Sequence, residues 1–410
     1  MRGPIVVVGA GAAGLVAAVT AAGAAPGVPV VVVETTADGG RKILISGGGR
    51  CNILPAALEP ERFVTDSAPR ILRGLLRSWP LAGQRAFFED EVGVPLALEA
   101  ETAKLFPASN RARDVRDRLV ALARRRGVTF RFGTSLTGLA PGEGGWRLST
   151  TAGDLDAAAV VLATGGLSVP ATGSDGVGLG LAGALGLDVR PPYPALTPLV
   201  AAGAPHAHLS GVSLVARLRA RWAGRPVETR GGFLFTHRGY SGPAVLDISH
   251  VAVRSRLAGA PVPIRAQWCG LDAEAWHAEL AGANGLVATL LARHLPLRLA
   301  ETLMDEASVP ADRRASALRR AERAALVERL TNYQLPWTGD EGYRKAEVTG
   351  GGVALEAVDA ATLESRRHPG LHLCGEILDA FGPIGGHNFA WAWATGRLAG
   401  RGAAGRGPRA

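Results

Sequence analysis

The chain has 410 residues, 47% of them hydrophobic, with a mean hydropathy of +0.14, which suffices for two or three cored domains and excludes a disordered chain. Its 45 Lys+Arg against 36 Asp+Glu leave a net charge of +9 and a pI near 10.2, but lysine occurs only at positions 42, 104 and 345 and the arginines are scattered, which argues against nucleic acid as a partner. Cys51, Cys269 and Cys374 lie far apart with no CxxC pair, which excludes a disulfide framework and a zinc site and points to a reducing cytoplasm.

Met1, Arg2 and the apolar run behind them have the outline of a signal peptide. The stretch "IVVVGAGAAGLVAAVTAAG" nevertheless reads as buried strand, tight turn and helix. Gly9, Gly11 and Gly14 form GxGxxG: the first makes the turn, the second lets backbone approach a pyrophosphate, the third lets helix lie on strand. Ala12 and Ala13 open the helix, whose unpaired N–H groups favour phosphate. "VPVVVVE" is the next strand. Glu34, with Thr35 beside it, ends that strand 20 residues after Gly14, where a carboxylate accepts from ribose hydroxyls. "GGRK" follows, and Gly40, Arg41 and Lys42 are placed to reach the same pyrophosphate. No later run has the roughly 18 apolar residues of a membrane span, which predicts a soluble, cytoplasmic protein.

"LISGGGRCNI" comes next. Ser46, Gly47, Gly48 and Gly49 give backbone that lies along a flat ligand, Cys51 sits beside it, and Asn52 offers an amide to the ligand's polar edge. "DVRDRLVALARRRG" is a helix whose last arginines complement its dipole. "AAAVVLATGG" is a strand ending at Ala163, Thr164 and Gly165, glycine-rich enough to pass close to an adenosine. "GLGLAG" repeats the GxGxxG spacing without a preceding strand and reads as a helix start. "RPPYPALTP" is a proline-dense break. Short β-branched runs fill 199–268, helical spacing fills 272–332, and "PWTGDEGYRKAEVTGGG" returns to loop. "GLHLCGEILDAFGPIGGHNFAWAWATGRLAG" repeats strand, glycine turn and helix. There Gly375, Glu376 and Asp379 suit ribityl hydroxyls, while Gly385, Gly386, His387 and Asn388 open a helix whose amides favour the electron-rich edge of a reduced flavin. Residues 401–410 read as a frayed tail.

"GRKILISGGGRCN", "KLFP", "VVLATGG", "FLFTHRGYSGPAVLDIS", "AEVTGGGV" and "CGEILDAFGPIGGHNFAWAWATG", in that order, resemble the bacterial YhiN/BaiN-like flavoproteins, a family that includes proteins called aminoacetone oxidases. The resemblance spans nearly the whole chain. It implies an FAD-binding domain interrupted by a β-rich part and a helical part. Two departures stand out: the family usually continues "RCN" with a Phe/Leu-Thr-Asn-like stretch where Ile53-Leu54-Pro55 stand here, and it often has Tyr where His387 stands.

The expected fold is therefore α/β, a three-layer Rossmann-type FAD-binding domain with an inserted β-rich domain and a helical subdomain. The expected boundaries are 1–190 and 336–410 for the FAD domain, 191–270 for the β-rich insert and 271–335 for the helical one. The expected function is an FAD-dependent oxidoreductase with non-covalent FAD and no metal. It would act on a small or mid-sized organic substrate by hydride transfer through the flavin, with NAD(P)H as transient electron donor because part of the resembled family reduces activated double bonds. An amine oxidase using oxygen is the first alternative, and an RNA-binding flavoprotein the second. His387, Tyr240 and Cys51 are the candidate catalytic side chains: a helix-head imidazole, a phenol able to protonate a carbanion, and a thiol beside the ring.

Overall fold

The computed structural model describes residues 3–405, so Met1 and Arg2 lie outside the described residues. The chain divides into two compact units, one running to Tyr193 and resuming at Val348, the other spanning Pro194–Glu347. In the first unit, β1 (Ile5–Val8) is buried along its whole length and leads through the glycine turn into α1 (Ala12–Ala24) and β2 (Val30–Glu34). Helix α2 (Ala112–Arg125) buries Val115, Leu119 and Leu122 and ends in its basic residues, as expected. Strands β3 (Thr129–Phe132) and β4 (Ala159–Leu162) complete the N-terminal share of the sheet. An antiparallel three-stranded sheet, Leu136–Gly142, Gly145–Thr150 and Leu155–Ala157, adds Trp146 and Leu148 to the same core.

"GLGLAG" lies in a helix, Val177–Ala184. Two stretches differ from expectation. The proline-dense break contains a strand, Val189–Ala195, and "VTGGGV" is its partner strand, Val348–Val353, rather than loop. The cause is close approach: a Cβ on Gly350 would collide with the Tyr193 ring, and one on Gly351 with the Pro191 carbonyl. Glycine here serves packing between strands, which a propensity reading scores as loop.

The second unit is built on a seven-stranded antiparallel sheet. Its strands are β5 (Leu199–Val200), β6 (Ser213–Trp222), β7 (Arg225–Phe235), β8 (Gly239–Ser241), β9 (Arg265–Gln267), β10 (Tyr333–Gln334) and β11 (Gly339–Asp340), in the order β10-β9-β6-β7-β8-β5-β11. Helix α3 (Pro243–Leu257) packs on β6 and β7. Helices Ala273–Ala281, Leu297–Glu306 and Arg320–Thr331 send Trp276, Leu303 and Leu326 into one core with Phe233, Phe235 and Trp268.

The first unit closes with β12 (Leu371–Leu373) and α4 (His387–Ala404). Its sheet is parallel throughout, in the order β12-β4-β1-β2-β3. Gly396 and Gly400 let α4 press onto α1, since a Cβ at either would collide with the carbonyls of Ala13 and Ala17. The tail expected to fray is helical through Ala404, because Ala403 is buried and Gly402 sits against Thr362. Its last five residues lie outside the described residues. Helices, a parallel sheet and an antiparallel sheet around one core make this the expected Rossmann-type α/β architecture, with β-rich and helical elements inserted.

Candidate functional site

The first turn is shaped by backbone alone. Gly9 adopts φ +102°, and a Cβ on Gly14 would collide with the Gly9 carbonyl, so helix and strand meet only because both are glycine. A Cβ on Gly11, by contrast, would meet nothing within 4 Å. No side chain caps α1, which leaves the N–H groups of its first turn, those of Ala12 and Ala13 included, facing that open space. Glu34 closes the turn: one carboxylate oxygen accepts from Ala10 N at 2.6 Å, the other from Thr36 N and Thr36 Oγ1 at 2.7 and 2.6 Å. Thr36, not the exposed Thr35, is its partner. Each carboxylate oxygen has lone pairs to spare for ribose hydroxyls.

Gly40, at φ +63°, starts a short helix, Arg41–Ile45. Arg41 pairs with Asp38 at 3.2 Å on the exposed side. Lys42 turns inward, its Nζ 2.9 Å from Glu376 and 2.8 Å from Ser168 Oγ. Glu376 also accepts from Ser168 Oγ at 2.6 Å and from Thr349 N at 3.0 Å. The lysine and glutamate of two distant motifs are thus joined, and Ser168 and Thr349 tie them down. Neither hydroxyl residue stood out in the sequence, because its role depends on tertiary placement.

Ser46 Oγ donates to Ile43 O at 2.7 Å and leads into three left-handed glycines, Gly47, Gly48 and Gly49, with φ of +55°, +67° and +85°. A Cβ on Gly48 would meet nothing within 4 Å and one on Gly49 only Leu44 O at 3.9 Å, so these two present bare backbone to open space, whereas one on Gly47 would press on Asn52 N and the Phe106 ring. After a right-handed Arg50, Cys51 is again left-handed at φ +61°, is wholly buried, and burial pushes its thiol up to about 12. A thiolate is therefore absent at neutral pH. The Asn52 amide donates to Leu54 O at 3.2 Å and accepts from Gly386 N at 3.1 Å, bringing "GGGRCN" against "GGHN".

On the C-terminal side, Gly375 (φ +79°) precedes Glu376. Asp379 accepts from Thr65 Oγ1, Asp66 N and Ser67 Oγ at 3.1, 3.0 and 2.8 Å, and burial raises its carboxyl to about 6. Gly385 and Gly386, at φ +121° and +93°, turn the chain into α4. Asn388 locks that turn by exchanging two 2.9 Å hydrogen bonds with Gly382. Trp391 donates to Gly375 O and Trp393 to Ile53 O, so both indoles brace the glycine segments. His387 heads the helix, 5% exposed, with neither ring nitrogen in a hydrogen bond. Burial pulls its pKa down to about 4, the charge of Arg62 adds to this, and the Ile384 backbone opposes it. On the sheet side, Ala163 is buried, Gly165 turns at φ +72°, and Thr164 Oγ1 is buried without a partner.

Tyr240 belongs to the second unit. Its hydroxyl lies 2.8 Å from His206 Nδ1, His206 Nε2 lies 3.0 Å from Glu306, and Tyr333 bonds the same carboxylate. Burial and the Glu306 charge push the Tyr240 phenol up.

FAD fits the first unit's site on three counts: an uncapped helix terminus facing open space, bare left-handed backbone at Gly48 and Gly49, and orphaned polar atoms on Thr164 and His387. Among the described residues, no group of three His, Cys, Asp or Glu is arranged to hold a metal, and no helix is long and apolar enough to cross a membrane.

The family model described as HI0933-like protein Rossmann domain matches residues 3–402. A protein of Escherichia coli named ribosomal RNA dihydrouridine synthase is 33% identical over 392 residues, covering 95% of each chain. A Clostridium scindens protein named 3-dehydro-bile acid delta(4,6)-reductase is 32% identical over 409 residues, covering 98% of each. Among solved structures, the FrdA chain of Escherichia coli quinol fumarate reductase superposes with a TM-score of 0.51 at 16% identity, covering 99% of this chain and 70% of that one.

Proposed function

This chain belongs to the HI0933-like Rossmann-domain family of FAD-dependent oxidoreductases, and from that premise we propose that it reduces a carbon–carbon double bond conjugated to a carbonyl. The substrate we assign is a uracil base in ribosomal RNA, with NAD(P)H as hydride donor. One observation carries this reading. Two full-length relatives of near-equal identity bear names that share one chemistry, saturation of an enone-like C=C, although their substrates differ greatly in size. That common step is what 32–33% identity over the whole chain best supports.

Bound FAD would relay two electrons from donor to substrate. The chain's own residues hold and polarise. The N–H groups at the head of α1 and Glu34 would hold the pyrophosphate and adenosine ribose, with Gly9, Gly11, Ala163, Thr164 and Gly165 letting backbone come close. Lys42 and Glu376 would anchor the ribityl side, and Gly47–Gly49 with Asn52 would lie along the ring. His387 is neutral at pH 7, so its role is to donate an N–H hydrogen bond to the substrate carbonyl, drawing electron density away from the carbon that receives hydride. Cys51, buried and protonated, packs behind the glycine run.

The test incubates the FAD-loaded protein with NADH or NADPH and a ribosomal RNA transcript, then counts dihydrouridine by nucleoside mass spectrometry. Donor-dependent dihydrouridine is the expected result. If instead a 3-oxo-4,6-diene steroid is reduced and the RNA is untouched, the smaller enone is the substrate, as the Clostridium scindens relative's name favours. Flavin that neither nucleotide bleaches refutes the donor.

A further inference from the structure

The sheet of the second unit has two unlike faces. Along β6, Ala216, Leu218 and Ala220 point into the core beneath α3. The alternate positions are Arg217, Arg219 and Arg221, and strand geometry spaces them roughly 7 Å apart on the opposite face. The ladder extends this set. Arg217 stands directly across from Arg230 on β7, and Arg219 stands between Glu228 on β7 and Arg265 on β9. One face therefore carries five arginines and a single carboxylate.

Glu228 is shared between Arg219 and Arg217, at 3.1 and 3.5 Å, and Arg219 also donates to Gln267 Oε1 at 2.9 Å. Arg230 and its cross-strand neighbour Arg217 are like charges placed opposite each other, an arrangement that costs stability in a sheet. A face kept merely soluble would alternate signs. Val215 and Leu234, 59% and 37% exposed, lie in the same rows and give the patch an apolar border. Arginine forks bind phosphate oxygens two at a time, and a flat row of them suits a polymer of phosphates better than one small anion.

We propose that this face docks the sugar–phosphate backbone of ribosomal RNA. The inference rests on the reading of RNA as substrate and adds the surface that would hold it. Its sequence signal is ARLRAR, an arginine at every second position, which arginine density along the chain conceals.

The experiment measures binding of the FAD-loaded full chain to a large-subunit ribosomal RNA transcript by fluorescence anisotropy across salt concentrations. The triple variant R217Q/R219Q/R221Q should bind at least tenfold more weakly at moderate salt. The slope of log affinity against log salt should fall by about 2 to 3, as expected for three lost phosphate contacts. E228Q removes the one acid and should tighten binding several-fold, a gain that misfolding cannot imitate. Flavin reduction by the nucleotide donor should be unchanged in all variants. Equal affinity and slope in wild type and both variants overturns the proposal, as does a wild type that ignores the transcript while binding vesicles of phosphatidylglycerol. A wild type that binds RNA through these arginines yet forms no dihydrouridine leaves the docking face standing and sinks the functional reading instead.

Discussion

Asp379 is 2% exposed and accepts three hydrogen bonds, yet burial holds its carboxyl at about 6, above the ordinary 3.8. The folded state then binds more protons than the unfolded chain between those values, so stability falls as pH rises through 6. His387 carries the opposite sign. Its folded pKa of about 4 lies below the ordinary 6.5, so the unfolded chain binds more protons in that window and stability rises with pH until about 6.5. Each amounts to about 3 kcal/mol at most. In urea unfolding of the FAD-free protein, D379N should gain about 2–3 kcal/mol on wild type between pH 4 and pH 7.5. H387F should lose ground to wild type by a similar amount over the same range. Parallel curves for either variant would show that the residue does not titrate as its burial implies.

At the scale of the element, the β1–α1–β2 segment was legible because its requirements are local. Gly14 answers to the carbonyl of Gly9, five residues earlier, and Glu34 follows from strand length; Gly9 is the exception, since a Cβ there would also collide with the Ala163 carbonyl on the neighbouring strand. The second and third glycines nevertheless do different work, which yields a prediction. G14A places a methyl on the Gly9 carbonyl and should destabilise the fold by several kcal/mol or prevent it. G11V points its side chain into open space and should fold normally while losing FAD affinity by about 100-fold or more, about 2.7 kcal/mol. Thermal melts and flavin titration separate the two. Less was legible where the partner is remote. Ser168 and Thr349 hold the carboxylate of Glu376, and nothing in their own neighbourhoods announces it. "VTGGGV" read as loop because its glycines answer to Tyr193 and Pro191, more than 150 residues earlier.

At the scale of the whole molecule, the change from glycine-punctuated strands to helical spacing near residue 270 was visible in the sequence, but a shared interior was not. Strands of 199–268 and helices of 273–331 supply one core, in which Phe235 stacks on Trp268 at 5.7 Å and Trp276 is fully buried. Separate domains at 191–270 and 271–335 would each leave that interior open, so we propose that 194–347 is the folding unit. Expressed alone, it should unfold in a single cooperative transition, whereas 191–270 alone should aggregate; two independent transitions in 194–347 would argue for the finer division.

The site also has a schedule. Helix α1 leaves the ribosome long before the helix that presses onto Ala13 and Ala17, and β4 waits for β12 to cover its edge. Through most of synthesis the nascent chain therefore holds an uncovered apolar helix and an unpaired strand. The site proposed for the flavin, where Asn52 meets Gly386, is incomplete until residues beyond 371 leave the exit tunnel. A chain stopped before residue 371 would lose more than α4: its parallel sheet would stay open at β4 and α1 would stay bare, so we expect it to purify without the yellow colour of a bound flavin.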